Sequence, residues 1–264
     1  MKNILLLVHD DAGQEARLQA ALDLTRAFGG HLICLDVVQL PVAAAAAFDD
    51  PTPFILAAER AIEGDNMARL ECRLTREDVL WEMRQVVGDF ADSLADNAGL
   101  ADLIVVSRKL DDLFSPDMRS VASSTVLKSG KPIVAVAEAS RGFDVNGRAL
   151  VAWDGSLPAM AALSAAVPLL RHASSVLLLE VEGSCPSSVE EGASYLSHYG
   201  IHPTVRQSPK GDGAAAQIEK TIQSDGAAYC VMGAYGHRRI REALFGGVTT
   251  HMLAHSTVPL FLAH

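Results

Sequence analysis

The sequence predicts an α/β protein made of two copies of one unit, each a parallel sheet flanked by helices. Three observations lead there. Short apolar runs alternate with amphipathic helical stretches along the chain, and strands separated by helices pair in parallel because each crossover needs a connection of that length. The composition is 49% hydrophobic but only 5% aromatic, rich in Ala, Leu and Val, which suits helices packed on a sheet better than a β-sandwich. The landmarks of the first half return in order in the second.

Ile4–Val8 is a continuous apolar run, expected of a strand covered on both faces. After a turn at Asp10–Gly13, Gln14–Phe28 has helical apolar spacing (Ala16, Ala20, Leu24, Ala27), and Gly29-Gly30 stops it. His31–Val38 is the second strand of this parallel crossover unit. Beyond the Pro41–Pro53 break, Phe54 to Arg76 reads as a long helix with Ile55, Ala58, Ile62, Leu70 and Leu74 on its apolar side. Val79–Val87 is a third strand, and Asp89 the N-cap of a helix over Phe90–Ala98. Leu103–Val106, a helix over Met118–Leu127 and a fifth strand over Pro132–Ala137 complete the unit.

Arg141–Gly147, short and polar with two glycines, reads as a linker, and the pattern then restarts with Leu150–Trp153, Pro158–Arg171 and Ser175–Val181. An ungapped shift of 144 residues places Asp10 on Asp154 and Val37 on Val181. Gly88-Asp89 recurs as Gly211-Asp212, and the closing strand Pro132–Ala137 as Pro259–Ala263. The expected domains are therefore 1–140 and 148–264, the second with only Ser187–Tyr199 where the first has its long helix.

Charge and cysteine content exclude several classes. The net charge is −10, from 32 acidic and 22 basic residues, whereas nucleic-acid and anionic-membrane binders need a basic face. The only dense basic cluster, Arg238, Arg239 and Arg241 beside His237, suits the size of a single nucleotide. Cys34, Cys72, Cys185 and Cys230 show no CxxC spacing, which argues against a disulfide or metal framework and fits a reducing cytoplasm. Met1–Val8 is too short an apolar run for a signal segment or a membrane span.

Chemistry concentrates near the C-terminus. Val231-Met232-Gly233-Ala234-Tyr235-Gly236 is followed by nine residues and then Gly246-Gly247-Val248-Thr249. A strand, a glycine-punctuated loop and a helix start can cradle an anion, because glycines let backbone N–H groups approach it and the helix terminus adds positive potential. The bland alternatives are turn glycines at positive φ, an Asp154 that only caps the following helix, and a Trp153 in the core. His251 and His255 have the i, i+4 spacing of zinc ligands but no third ligand nearby in sequence. No nucleophile elbow, catalytic carboxylate pair or Walker lysine is present, which leaves no basis for predicting catalysis.

These residues resemble the universal stress protein (UspA) family in its tandem two-domain form, and the resemblance spans essentially the whole chain. It implies two Rossmann-like domains of the adenine nucleotide alpha hydrolase type, each a five-stranded parallel sheet, with the last strands of the two pairing inside one chain as a pseudo-dimer. It also implies that Asp154 lies beside a nucleoside, that Val181 lies against adenine, and that Met232, Gly233, Gly236, Gly246, Gly247, Val248 and Thr249 surround the phosphates of ATP, with or without Mg. The family places Ser or Thr where this chain has Gly247; Thr249 or Thr250 is the nearest substitute hydroxyl. The first half has no glycine between Val106 and Ser120 and carries Asp111, Asp112 and Asp117 there, so it is expected to lack a nucleotide cradle. The implied role is a cytoplasmic stress sensor acting through an unknown protein partner, as a pseudo-dimer or a homodimer of it. The alternatives are an interaction module that binds no nucleotide and a binder of another small ligand.

Overall fold

The structure, a computed structural model, describes residues 1–39, 52–110, 116–181, 188–209, 211, 213–236 and 247–264. The first half runs β1 (Asn3–Val8), α1 (Gln14–Phe28), β2 (His31–Val38), α2 (Thr52–Leu74), β3 (Leu80–Val87), α3 (Phe90–Asn97), β4 (Leu103–Lys109), α4 (Met118–Ser129) and β5 (Ile133–Ala137). The second half runs β6 (Arg148–Trp153), α5 (Leu157–Leu170), β7 (Ser175–Val181), α6 (Val189–Ser197), β8 (Thr204–Ser208), α7 (Ala214–Asp225), β9 (Tyr229–Gly233), α8 (Gly247–His255) and β10 (Leu260–Ala263).

All ten strands form one sheet in the order β3-β2-β1-β4-β5-β10-β9-β6-β7-β8. Within each half every pairing is parallel, and the halves join where β5 and β10 pair antiparallel through Ala135–Leu260, Val134–Phe261 and Ile133–Leu262. Helices cover both faces, and each apolar layer draws on both halves: Leu6, Val151 and Phe261 lie in one, Leu7, Leu150 and Leu262 in the other.

The local signals explain the element ends. Gly29 closes α1 in the left-handed region at φ 51°, and the Asp89 side chain caps α3 by accepting from the Ala91 and Asp92 N–H groups. Ser156, rather than Asp154, caps α5, accepting from Ala159 N.

Four features depart from the sequence reading. The edge strand β8 (TVRQS) is exposed along most of its length and has no apolar alternation to reveal it. On α2 the buried residues after Arg60 are Glu63, Asn66, Leu70 and Leu74, so the expected apolar side holds at Leu70 and Leu74 but fails at Ile62, which is 50% exposed. The 141–147 segment is packed: Phe143 is buried with its ring 5.0 Å from that of Tyr229, Val145 is buried, and Phe143 N donates to Asp23. Finally, β1 pairs β2 with Asn3 opposite His31, whereas β6 pairs β7 with Arg148 opposite Ser175, one residue less along the chain. Ile4, Leu6 and Val8 share a face as Ala149, Val151 and Trp153 do. The structural counterpart of Asp154 is therefore His9, not Asp10; Val37 and Val181 remain counterparts.

Candidate functional site

At the C-terminal ends of β6, β7 and β9 a cavity of about 340 Å³ opens between α7 and α8. Crevices at such strand ends are where open parallel sheets place ligands, and the volume lies in the range of roughly 300–1,000 Å³ common to small-molecule sites. Its walls include Asp154, Val181, Met232, Gly233, Gly236, Gly247, Val248 and Thr249, residues scattered over nearly a hundred positions of sequence. Of the expected binding set, Gly246 lies outside the described residues, as do His237, Arg238, Arg239 and Arg241.

Leu179 and Val181 from β7, Ile218 from α7 and Met232 from β9 give the cavity apolar walls. Sequence reading missed the α7 contribution, Ala214 and Ile218, although it expected a helix to open after Gly211-Asp212; α7 begins at Ala214 with Gly213 at its N-cap, and Asp212 lies outside the described residues. Asp154 is the only charged side chain among the described lining residues. Its Oδ1 accepts from Ser156 N at 3.0 Å, and Oδ2, which makes no hydrogen bond among the described residues, lies on the side of Gly236. Trp153 is buried in the core and also lines the cavity.

The glycines act by different means, and none of Gly233, Gly236 and Gly247 has positive φ. That conformation belongs to Tyr235 instead, at φ 61°. A Cβ on Gly233 would stand 2.5 Å from Ala159 N and 2.6 Å from the Pro158 carbonyl carbon, so this glycine lets the end of β9 touch the first turn of α5. A Cβ on Gly236 would come within 2.9 Å of Ser156 Oγ, whereas one on Gly247 would meet nothing within 4 Å among the described residues. Gly247 begins α8, whose N-terminal N–H groups face the cavity mouth with their partial positive charge.

The loop after β9 is fixed from several sides. Tyr235 N donates to Thr249 Oγ1 at 3.4 Å. Ala234 N donates to Ala263 O, and the His264 ring contacts Ala234 O at 2.8 Å. Bonds also cross from the first half: the Tyr235 hydroxyl meets Ser123 of α4, and Arg108 of β4 donates to Leu253 O in the last turn of α8 at 2.6 Å. A cation at that end also suits the helix dipole.

The corresponding place in the first half is filled. Phe90, completely buried, follows Gly88-Asp89 where the second half has Gly213 after Gly211-Asp212, and its ring packs edge-on against His9 at 4.8 Å. Arg17, also fully buried, donates to Leu7 O, His9 O, both oxygens of Asp11 and Ser107 Oγ. Ser107 follows Val106 as Gly233 follows Met232.

Other candidate chemistry is modest. His251 contacts Glu219 at 3.1 Å and stacks on His255 at 4.7 Å, but no group of three or more metal-ligating side chains occurs among the described residues. Cys34, Cys72 and Cys230 are free thiols, and burial pushes Cys34 and Cys230 up to about 12, which keeps them protonated and inert. No helix among the described residues is long and apolar enough to cross a membrane.

No family model and no curated protein sequence matches the chain. Solved structures do. A universal stress protein from Archaeoglobus fulgidus DSM 4304 aligns over 99% of this chain and 95% of its own, with a TM-score of 0.77 at 15% identity. The chain has the universal stress protein fold. A functionally unknown protein from Pseudomonas aeruginosa PAO1 shares it, at TM-score 0.62 and 14% identity over 99% of this chain and 92% of its own. At these identities the universal stress protein fold is what is shared, spanning both halves.

Proposed function

We propose that the chain is a tandem universal stress protein whose second half binds an adenine nucleotide and uses its occupancy as a signal to a protein partner in the cytoplasm. The observation that carries this reading is the single cavity lined by Asp154, Val181, Met232, Gly233, Gly236 and the first turn of α8. A flat base fits between the apolar side chains of Val181, Leu179, Ile218 and Met232. Asp154 Oδ2 is an acceptor for a ribose hydroxyl, and the α8 N-terminus offers N–H donors to phosphate. Among the described lining residues Asp154 is the only charged side chain, and the reading proposed is one of binding rather than turnover.

The test is thermal melting of the full chain with and without Mg-ATP. At a hundredfold excess over the dissociation constant, linkage stabilises by about 2.7 kcal/mol, or a melting shift of roughly 5 °C or more at this size. Asp154→Ala should abolish the shift while leaving the unliganded melt nearly unchanged. No shift with saturating ATP, and no nucleotide carried through purification by mass spectrometry, would overturn the reading.

A second reading, an interaction module that binds no nucleotide, is favoured by one specific observation. Gly247 supplies no hydroxyl to a phosphate. The same melting experiment separates the two.

A further inference from the structure

The second half carries another cavity, at the end of its sheet opposite the site described above. About 210 Å³ in volume, it opens between the N-terminal ends of β6, β7 and β8 and the last turns of α7. Arg148 of β6, Ser175 of β7, Thr204 and Arg206 of β8 and Asp225 of α7 line it. Strand register explains how they converge. Arg148 lies opposite Ser175, and Thr204 opposite Leu177, and alternate residues of paired strands stand on one face. Leu150 and Leu177 share that face and give the cavity an apolar floor.

Charge decides what such a cavity can hold. Asp225 is the only acidic side chain among the described lining residues, and its Oδ2 is paired with Arg206 Nη1 at 2.6 Å. Arg148 has no carboxylate partner among the described residues; its Nη1 donates to the Asp225 backbone carbonyl at 2.9 Å. A cation there suits the C-terminal end of α7, but a carbonyl orients a guanidinium without cancelling its charge, and the remaining N–H groups are still donors. The Ser175 and Thr204 hydroxyls make no hydrogen bond among the described residues. Two arginines against one aspartate leave the lining one positive charge, in a chain whose net charge is −10.

The first half closes the same place differently. By register, Asn3, His31 and Glu82 occupy the positions of Arg148, Ser175 and Thr204. His31 lies 3.7 Å from Glu82, which also pairs with Arg84, the counterpart of Arg206. The fold therefore does not need a cation at this end of the sheet, and the second half has one beside an open volume and two hydroxyls.

We propose that this cavity binds a small carboxylate with a short apolar body. The carboxylate oxygens accept from Arg148, Ser175 and Thr204, and the apolar body lies on Leu177 above Leu150. The volume is below the roughly 300 Å³ at which sites for drug-sized molecules begin, so the ligand has only a few heavy atoms. Inorganic phosphate would satisfy the donors and leave the leucines uncovered. The cavity shares α7 with the site at the other end of the sheet, which is lined by Ala214 and Ile218, but it needs nothing bound there.

Titration of the isotope-labelled full chain with butyrate, followed by amide chemical shifts at an ionic strength held constant with chloride, tests this without any nucleotide. Shifts should saturate and centre on Leu150, Leu177 and Ala227. Acetate, lacking most of the apolar body, should bind more weakly. Arg148→Gln should weaken butyrate by about tenfold or more, as the loss of a charge-assisted contact requires. Thr204→Val keeps the shape of an exposed strand residue and should weaken it by roughly twofold to tenfold, a second readout if the first variant loosens the end of α7. Four results would each overturn the proposal: no saturable shift, the same shifts from chloride alone, wild-type affinity in either folded variant, or tighter binding of inorganic phosphate than of butyrate.

Discussion

Gly233 and Gly247 belong to one glycine pattern, yet the physical constraints on them are opposite. At Gly233 a methyl group would run into the backbone of α5, so packing alone demands glycine there whether or not a ligand binds. At Gly247 a Cβ would meet nothing within 4 Å among the described residues. Gly247→Ser should therefore leave the unliganded melting temperature within about 1 °C, since exposed substitutions of this kind stay within about ±0.5 kcal/mol. A serine hydroxyl there can donate to a phosphate oxygen, a charge-assisted bond contributing about 1.5–3 kcal/mol. Isothermal titration with Mg-ATP should then show affinity raised about tenfold or more over the wild type. Equal affinities would mean that no phosphate approaches the start of α8.

The elements differ in how much of themselves the sequence discloses, and the difference follows from what each one buries. β1 and β9 are buried and read as apolar runs, as does Leu103–Val106 of β4, while β2 is interrupted by the buried Asp36. β8 lies at the sheet edge with mostly exposed side chains, so its hydrogen bonds are real but its residues carry no burial pattern. α2 is only half legible: it buries Leu70 and Leu74 as apolar spacing suggests, but also Glu63 and Asn66 while exposing Ile62, which apolar spacing cannot reveal. The one-residue register difference between the halves is likewise invisible to an ungapped shift, since neighbouring apolar residues match in either frame. The cavity residues were legible because glycines and an aspartate at strand ends are unusual; Arg17 was hidden inside the helical pattern of α1. Its guanidinium satisfies the ends of β1 and β4 together, so Arg17→Met should leave Asp11 buried without its cation. Urea unfolding should register a loss of about 3–5 kcal/mol, against less than 1 kcal/mol if the arginine were merely solvating the turn.

At the scale of the whole molecule, the two halves share one sheet and two core layers, and the segment between them is packed through Phe143 and Val145. The β5–β10 joint, the Tyr235–Ser123 contact and the Arg108 bond to α8 tie the candidate site to the first half. Independent unfolding of one half would expose Val134, Ala135, Phe261 and Leu262, all completely buried at the joint. At about 1.5–3 kcal/mol for each large apolar side chain exposed, that cost makes a half-unfolded state rare. The chain supplies its own probes, since its two tryptophans fall one in each half: Trp81 on β3 and Trp153 at the end of β6. Trp153→Phe leaves a reporter on the first half and Trp81→Phe one on the second. In each variant, tryptophan fluorescence and far-UV circular dichroism should give the same urea midpoint, because the reporter's half and the whole chain unfold together. A fluorescence transition displaced from the dichroism transition in opposite directions in the two variants would show that the halves unfold separately. The cross-half bonds would then be too weak to carry occupancy of the second-half cavity into α4.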